Sequence, residues 1–188
     1  MRKANAAAGL LAQVLLLLHL AVQAVLYWTM SYRPLLSRLT SYCFFAVTAV
    51  HALGSIALLV FRTDGALRDA YPRFNRRTTL QRVSALAVLL LLPLHTHTFG
   101  LLQRAAGKPG AVCAVLAAEI LFDLCVLAHT TASFGRGLIS LGRIETPEQL
   151  RAADRAAGIV TAVVLLASAA GVVRGQLLMT GVLGGGPG

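Results

Sequence analysis

Five apolar stretches organise this chain, at roughly 7–30, 41–61, 80–103, 111–135 and 157–180. Each has the ~20-residue length that carries an α-helix across the hydrocarbon of a bilayer. Of 188 residues, 57% are hydrophobic and 13% charged, and the mean hydropathy of +0.73 is too high for an ordinary soluble domain. The length suits one domain, and the stretches depend on one another, so residues 1–188 are read as a single integral membrane unit. The first stretch follows Met1-Arg2-Lys3, as a signal peptide would. Its apolar core, Ala6 to Val25, is longer than a usual cleaved segment, and more spans follow, so a retained helix is expected. The expected fold is an all-α, five-transmembrane-helix bundle.

A net charge of +10 in a soluble chain would raise nucleic acid as a partner. Here the charges lie between the spans, and topology accounts for them without nucleic acid. Arg2, Lys3, Arg62, Arg68, Arg73, Arg76, Arg77, Arg82, Arg136, Arg143, Arg151 and Arg155 fall at one edge. Only Arg33, Arg38, Arg104, Lys108 and Arg174 fall at the other. The positive-inside rule then puts the N-terminus in the cytoplasm and the C-terminus outside, in an inner or cytoplasmic membrane. Cys43, Cys113 and Cys125 form no C-x-x-C. They give neither a disulfide framework nor an iron–sulfur ligand set and are expected to be small packing residues.

The connections carry turn chemistry. Arg33-Pro34 reads as a helix stop within an outer loop 31–40. The inner loop 62–79, with Asp64-Gly65 and Pro72, is the most basic stretch. Gly107, Pro109 and Gly110 make the turn before the fourth span. Thr146-Pro147-Glu148-Gln149 reads as an N-cap, a first-turn proline and a capping-box glutamine, so the last helix is predicted to begin near Pro147. The Gly184–Gly188 tail is predicted to be disordered. The chain has no P-loop, no G-x-G-x-x-G and no legible Ser/His/Asp arrangement.

Against this background four histidines stand out: His19, His51, His95 and His129, one in each of the first four spans. Ionisable rings at membrane depth are costly and point to function, and imidazole is the commonest protein ligand to haem iron. With a rise of about 1.5 Å per residue, His51 and His129 lie roughly 10–17 Å from the cytoplasmic edge, and His19 and His95 roughly 20–24 Å. The rings therefore sort into an inner pair, His51 with His129, and an outer pair, His19 with His95. One membrane histidine is commonly a hydrogen-bonded bundle residue; four, one per helix and paired by depth, favour two bis-histidine haem b groups between the first four helices. Arg62 lies eleven residues after His51, and Arg136 seven after His129. Both fall near the histidine faces and are candidate partners for the propionates of an inner haem. Gly54, one turn after His51, removes a side chain where a flat ring would press.

Other polar residues in the spans invite assignment. Glu119 and Asp123, four apart on one helix face, are candidate proton-transfer groups or hydrogen-bonded packing residues. Gln23 and Tyr27, beyond His19 on its face, and His97, two residues past His95, are candidates to line a quinone pocket. Tyr27 and Trp28 also suit an interfacial aromatic belt.

The ordered set resembles a known family. Gln81-Arg82-Val83-Ser84, a leucine-rich run and His95 are similar to the third span of the single-chain, dihaem cytochrome b anchors of succinate dehydrogenase and fumarate reductase complexes. His51-Ala52-Leu53-Gly54 resembles the family's second span, and His129 with Gly142 and Thr146-Pro147 its fourth span and following loop. The resemblance covers roughly residues 8–180. It implies that His51 and His129 hold the inner haem and His19 and His95 the outer one. It also implies a membrane anchor for a flavoprotein subunit and an iron–sulfur subunit, passing electrons to or from a quinone, usually menaquinone in dihaem members. The dicarboxylate site would lie on the flavoprotein, so no such active site is expected in this chain. The sequence departs from some menaquinol-oxidising relatives: Leu127 stands where they carry a glutamate, and no Asp or Glu precedes Asp64. Two other classes fit the histidines less closely: a dihaem cytochrome b of a hydrogenase or formate dehydrogenase, and a non-redox, proton-coupled membrane protein.

Overall fold

The computed structural model describes residues 2–31, 33–61, 72–105 and 107–179. Five helices make up nearly all of this: α1 (Arg2–Trp28), α2 (Pro34–Phe61), α3 (Pro72–Arg104), α4 (Pro109–Ser140) and α5 (Pro147–Met179). No strand occurs among the described residues. Each helix contains a window long and apolar enough to cross a membrane. A helix satisfies its backbone groups within one segment, and lipid offers them no other partner. The loop residues around Arg62 and the Gly184–Gly188 tail lie outside the described residues.

The helices begin before the apolar stretches do. Prolines open α2, α3, α4 and α5, since a proline at the first helical position loses no backbone hydrogen bond and its φ is already helical. Pro34 therefore starts a helix where a stop was expected, and Pro72 does so inside the expected loop 62–79. At α5 the expected cap is present: Gln149 N donates to Thr146 Oγ1 at 3.3 Å, and Thr146 N donates to Gln149 Oε1 at 3.2 Å. α4 ends with Arg143 N donating to Leu138 O and Gly142 N to Ile139 O, both at 2.9 Å. This closure needs a left-handed residue, and Gly142 supplies it at φ 70°. α1 closes in the same way, with Ser31 N donating to Leu26 O at 3.0 Å, but Met30 occupies the left-handed position at φ 51°.

The helices alternate in direction. Asn5 near the start of α1 meets Ser55 near the end of α2, and Arg136 near the end of α4 meets Thr78 near the start of α3. At the opposite end Trp28 of α1 reaches Ala167 of α5. The end that holds Asn5, Arg77 and Arg136 is the basic end. α1 and α4 are central and both pack on α5; α2 leans on α1 and α3 on α4, and α2 and α3 have no extensive backbone contact with each other. The histidine-bearing helices of each expected pair, α1 with α3 and α2 with α4, thus stand across diagonals rather than side by side.

The core is thin. Leu16, Leu20, Phe122, Val126 and Leu165 are buried together, with Phe44, Val88, Leu92 and Leu127 against them. Large apolar side chains cover the outside, with Leu35 79% and Leu166 71% exposed. In water such a surface would drive association; in a bilayer it faces tails as apolar as itself. Helix association there rests on close packing and interhelical hydrogen bonds, and glycines provide the closest approaches. A Cβ on Gly171 would come within 2.9 Å of the Trp28 ring. Of the three cysteines expected to be packing residues, Cys43 and Cys113 instead point outward and Cys125 is half-buried.

Candidate functional site

At the basic end, α2 presents His51 to α1. Its Nδ1–H donates to the carbonyl of Asn5 at 3.0 Å, while the Asn5 side chain donates to Ser55 Oγ at 3.0 Å. The ring lies against Gly9, where a Cβ would come within 2.7 Å of Cε1. Gly54, expected to admit a flat ring, faces the Asn5 side chain instead. Across the diagonal, His129 of α4 donates from Nδ1 to the carbonyl of Gln81 in α3 at 3.1 Å, with Ser84 Oγ 3.5 Å away.

Nearer the far end, His19 of α1 lies 3.4 Å through Nδ1 from Ser41 Oγ of α2. That hydroxyl gives its proton to Ser37 O at 2.7 Å, so the imidazole is the donor. His19 stacks on Phe44, centroids 6.1 Å apart. His95 of α3 donates from Nδ1 to Glu119 Oε2 of α4 at 2.9 Å and stacks on Phe122 at 4.5 Å. Thr98 donates its hydroxyl to the other Glu119 oxygen.

One chemical consequence unites the four rings. A carbonyl or carboxylate oxygen can only accept, and the Ser41 proton is already engaged, so each ring carries its proton on Nδ1. The Nε2 lone pair is left for another acceptor of electrons. Metal-bound histidines are oriented in this way by a partner on the second nitrogen. His19 and His95 line a common cavity with Phe44, Thr48, Phe122 and Asp123. Thr48 Oγ1 is buried without a hydrogen-bond partner. The donor set therefore suits bis-histidine iron. The space does not yet suit a porphyrin: the cavity encloses about 50 Å³, and Phe44 and Phe122 would have to turn to admit the ring. Among the described residues, no three His, Cys, Asp or Glu side chains converge as a conventional metal site.

The basic end also holds a polar network. Arg77 of α3 pairs with Asp154 of α5 at 2.7 Å and donates from Nε to Ala132 O of α4 at 3.1 Å. Gly135 N donates to Asp154 Oδ1 at 3.2 Å, and a Cβ on Gly135 would collide with that carboxylate. Arg136 donates to Thr78 Oγ1 at 2.8 Å and Gln81 Oε1 at 3.1 Å. These partners are neutral, and through Gln81 they tie Arg136 to the residue that holds His129. Arg62, its expected counterpart, lies outside the described residues.

The quinone candidates each have contacts of their own. Gln23 donates to Ser37 Oγ of α2 at 2.9 Å, Tyr27 lies against Gly175 of α5, and His97 is exposed on α3, its Nδ1 donating to Pro93 O at 2.8 Å. Glu119 and Asp123 do share the His95 region. The residues missed in the sequence are the supporting ones: Asn5, Gly9, Ser41, Gln81 and Phe122. Gln81 stood within the motif that carried the resemblance, but nothing in one sequence marks a backbone carbonyl as a partner for His129.

Comparison of the chain with known protein families, characterised proteins and solved structures gives no match.

Proposed function

We propose that this chain is the haem-bearing cytochrome b anchor of a succinate dehydrogenase or fumarate reductase complex. It would pass electrons between a quinone, menaquinone by the resemblance, and the iron–sulfur and flavoprotein subunits. The observation that supports the haem part is the shared orientation of four imidazoles, one on each of the first four helices, each with Nδ1 toward a hydrogen-bond partner on a neighbouring helix. His51 and His129 would hold the inner haem b and His19 and His95 the outer one. Haem b, when bound, supplies one-electron redox chemistry. The chain's own part is to fix the ring planes, keep water out with leucine and valine, and offer Arg136 to a propionate at the basic end. The choice of complex rests on the ordered resemblance, to which Gln81 and Ser84 beside His129 lend support.

Reduced-minus-oxidised spectra with a pyridine haemochrome count test this directly. Two haem b per chain are expected, falling to one in His51→Ala and in His95→Ala. Material that stays colourless after reconstitution would end the haem reading. Pigmented protein that copurifies with a hydrogenase or formate dehydrogenase, and with no flavoprotein, would overturn the choice of complex alone.

A further inference from the structure

At the basic end, the apolar window of α3 begins at Arg76 and that of α4 ends at Ser140. Arg82 lies six residues inside the first edge and Arg136 four before the second, so both stand roughly 6–9 Å within the window. Arginine side chains at that depth extend back to the headgroup region. Arg136 crosses to α3 and donates from Nη1 to Thr78 Oγ1 and Gln81 Oε1. Arg82 follows Gln81 directly and stands one turn beyond Thr78, so the two arginines flank one seam between α3 and α4. The oxygens that Arg136 meets there are neutral. Among the described residues the ion pairs are Arg77–Asp154, His95–Glu119 and Arg151–Glu148, and neither Arg82 nor Arg136 belongs to one. Arg82 is exposed, and so are Leu86 and Leu89, four and seven residues further along its stripe of α3. Two cations at the membrane edge therefore stand above an apolar track that leads toward the middle of the bilayer.

We infer that this seam seats an anionic phospholipid, its phosphate between Arg82 and Arg136 and an acyl chain along Leu86 and Leu89. Basic pockets between transmembrane helices take such headgroups, and the planar guanidinium fork matches phosphate oxygens. Other arginines at this end are placed differently. Arg77 and Arg151 are neutralised by carboxylates, and Arg143 and Arg155 are exposed in the α4–α5 connection and on α5. The inference stands apart from the haem reading, because Arg82 has no part in that reading and the lipid can be counted on pigmented or colourless protein.

Native mass spectrometry of the full chain in detergent, titrated with phosphatidylglycerol, reads the affinity for the first lipid bound. Wild-type protein should bind phosphatidylglycerol more tightly than phosphatidylcholine. Arg82→Gln and Arg136→Gln should each weaken that binding about fivefold, the effect of one arginine beside an anionic headgroup, while Arg143→Gln and Arg155→Gln leave it unchanged. Arg136→Gln also removes the bond to Thr78; should it fail to fold, the exposed Arg82 decides the matter. Equal losses in all the variants would show a diffuse surface potential and overturn the inference. So would an unchanged affinity in Arg82→Gln, or a wild-type protein that does not distinguish the two lipids. Inorganic phosphate that displaces the bound lipid as well as fresh phosphatidylglycerol does would assign the seam to a soluble anion and overturn the lipid.

Discussion

Gly9 sets how closely the imidazole of α2 can approach α1. A side chain there would meet His51 within 2.7 Å at Cε1 and 3.3 Å at Nε2, the nitrogen left free for a ligand. Gly9→Val should therefore lose one of two haems while the other keeps its full absorbance; a haemochrome count of two in this variant would show that His51 is not a ligand in this pose. Met30 illustrates a cost at the same scale. A side chain in the left-handed region is strained by ~1–2 kcal/mol, and Met30 sits there at φ 51° while α4 uses Gly142 for the same closure. Met30→Gly should stabilise the protein by ~1 kcal/mol, seen as a higher midpoint of thermal unfolding in detergent. The histidines themselves were legible as residues out of keeping with their apolar surroundings. Their hydrogen-bond partners were not, since Asn5 acts on His51 through its backbone, which no side-chain pattern reveals.

At the scale of the helix, α5 carries no histidine, yet one ion pair links it to the others. Asp154 accepts from Arg77 of α3 and from the Gly135 backbone of α4, so a single carboxylate joins three helices at the basic end. Asp154→Ala leaves Arg77 without its partner, at a cost of ~2–3 kcal/mol for charged hydrogen bonds. Replacing both partners by apolar residues, Arg77→Met with Asp154→Leu, should recover much of that loss, because no charge is then left unpaired. Chemical denaturation in mixed micelles measures both; equal instability of the single and double variants would mean that the pair contributes shape rather than charge. Helix starts were read well where capping chemistry was explicit, as at Thr146 and Gln149. They were misread at Pro34 and Pro72, because a proline marks equally the end of one helix and the first turn of the next.

The whole molecule is two helical hairpins joined along α1 and α4, with α5 against both. Its two ends differ in charge, and the positive-inside rule gives that difference a direction. In a background lacking Cys43, Cys113 and Cys125, a cysteine at Thr146 should react with a membrane-impermeant maleimide only from the cytoplasmic side. One at Gly107 should react only from outside. The reverse pattern would invert the topology. In this arrangement α2 and α3 each lean on a single central helix.

By itself the sequence determined the number of long apolar helices and where each runs, because hydropathy is a property of position along one chain. It also marked His19, His51, His95 and His129 as a set. What only the tertiary structure decided is which atom faces what: that Nδ1 is the donor in all four rings, that Glu119 rather than a neutral group serves His95, and that Gly9 rather than Gly54 makes room for His51. Those facts depend on the rotation of one helix against another. In a bundle uniformly apolar on its surface, no hydrophobic face fixes that rotation in advance; the interhelical hydrogen bonds and the closest glycine contacts do.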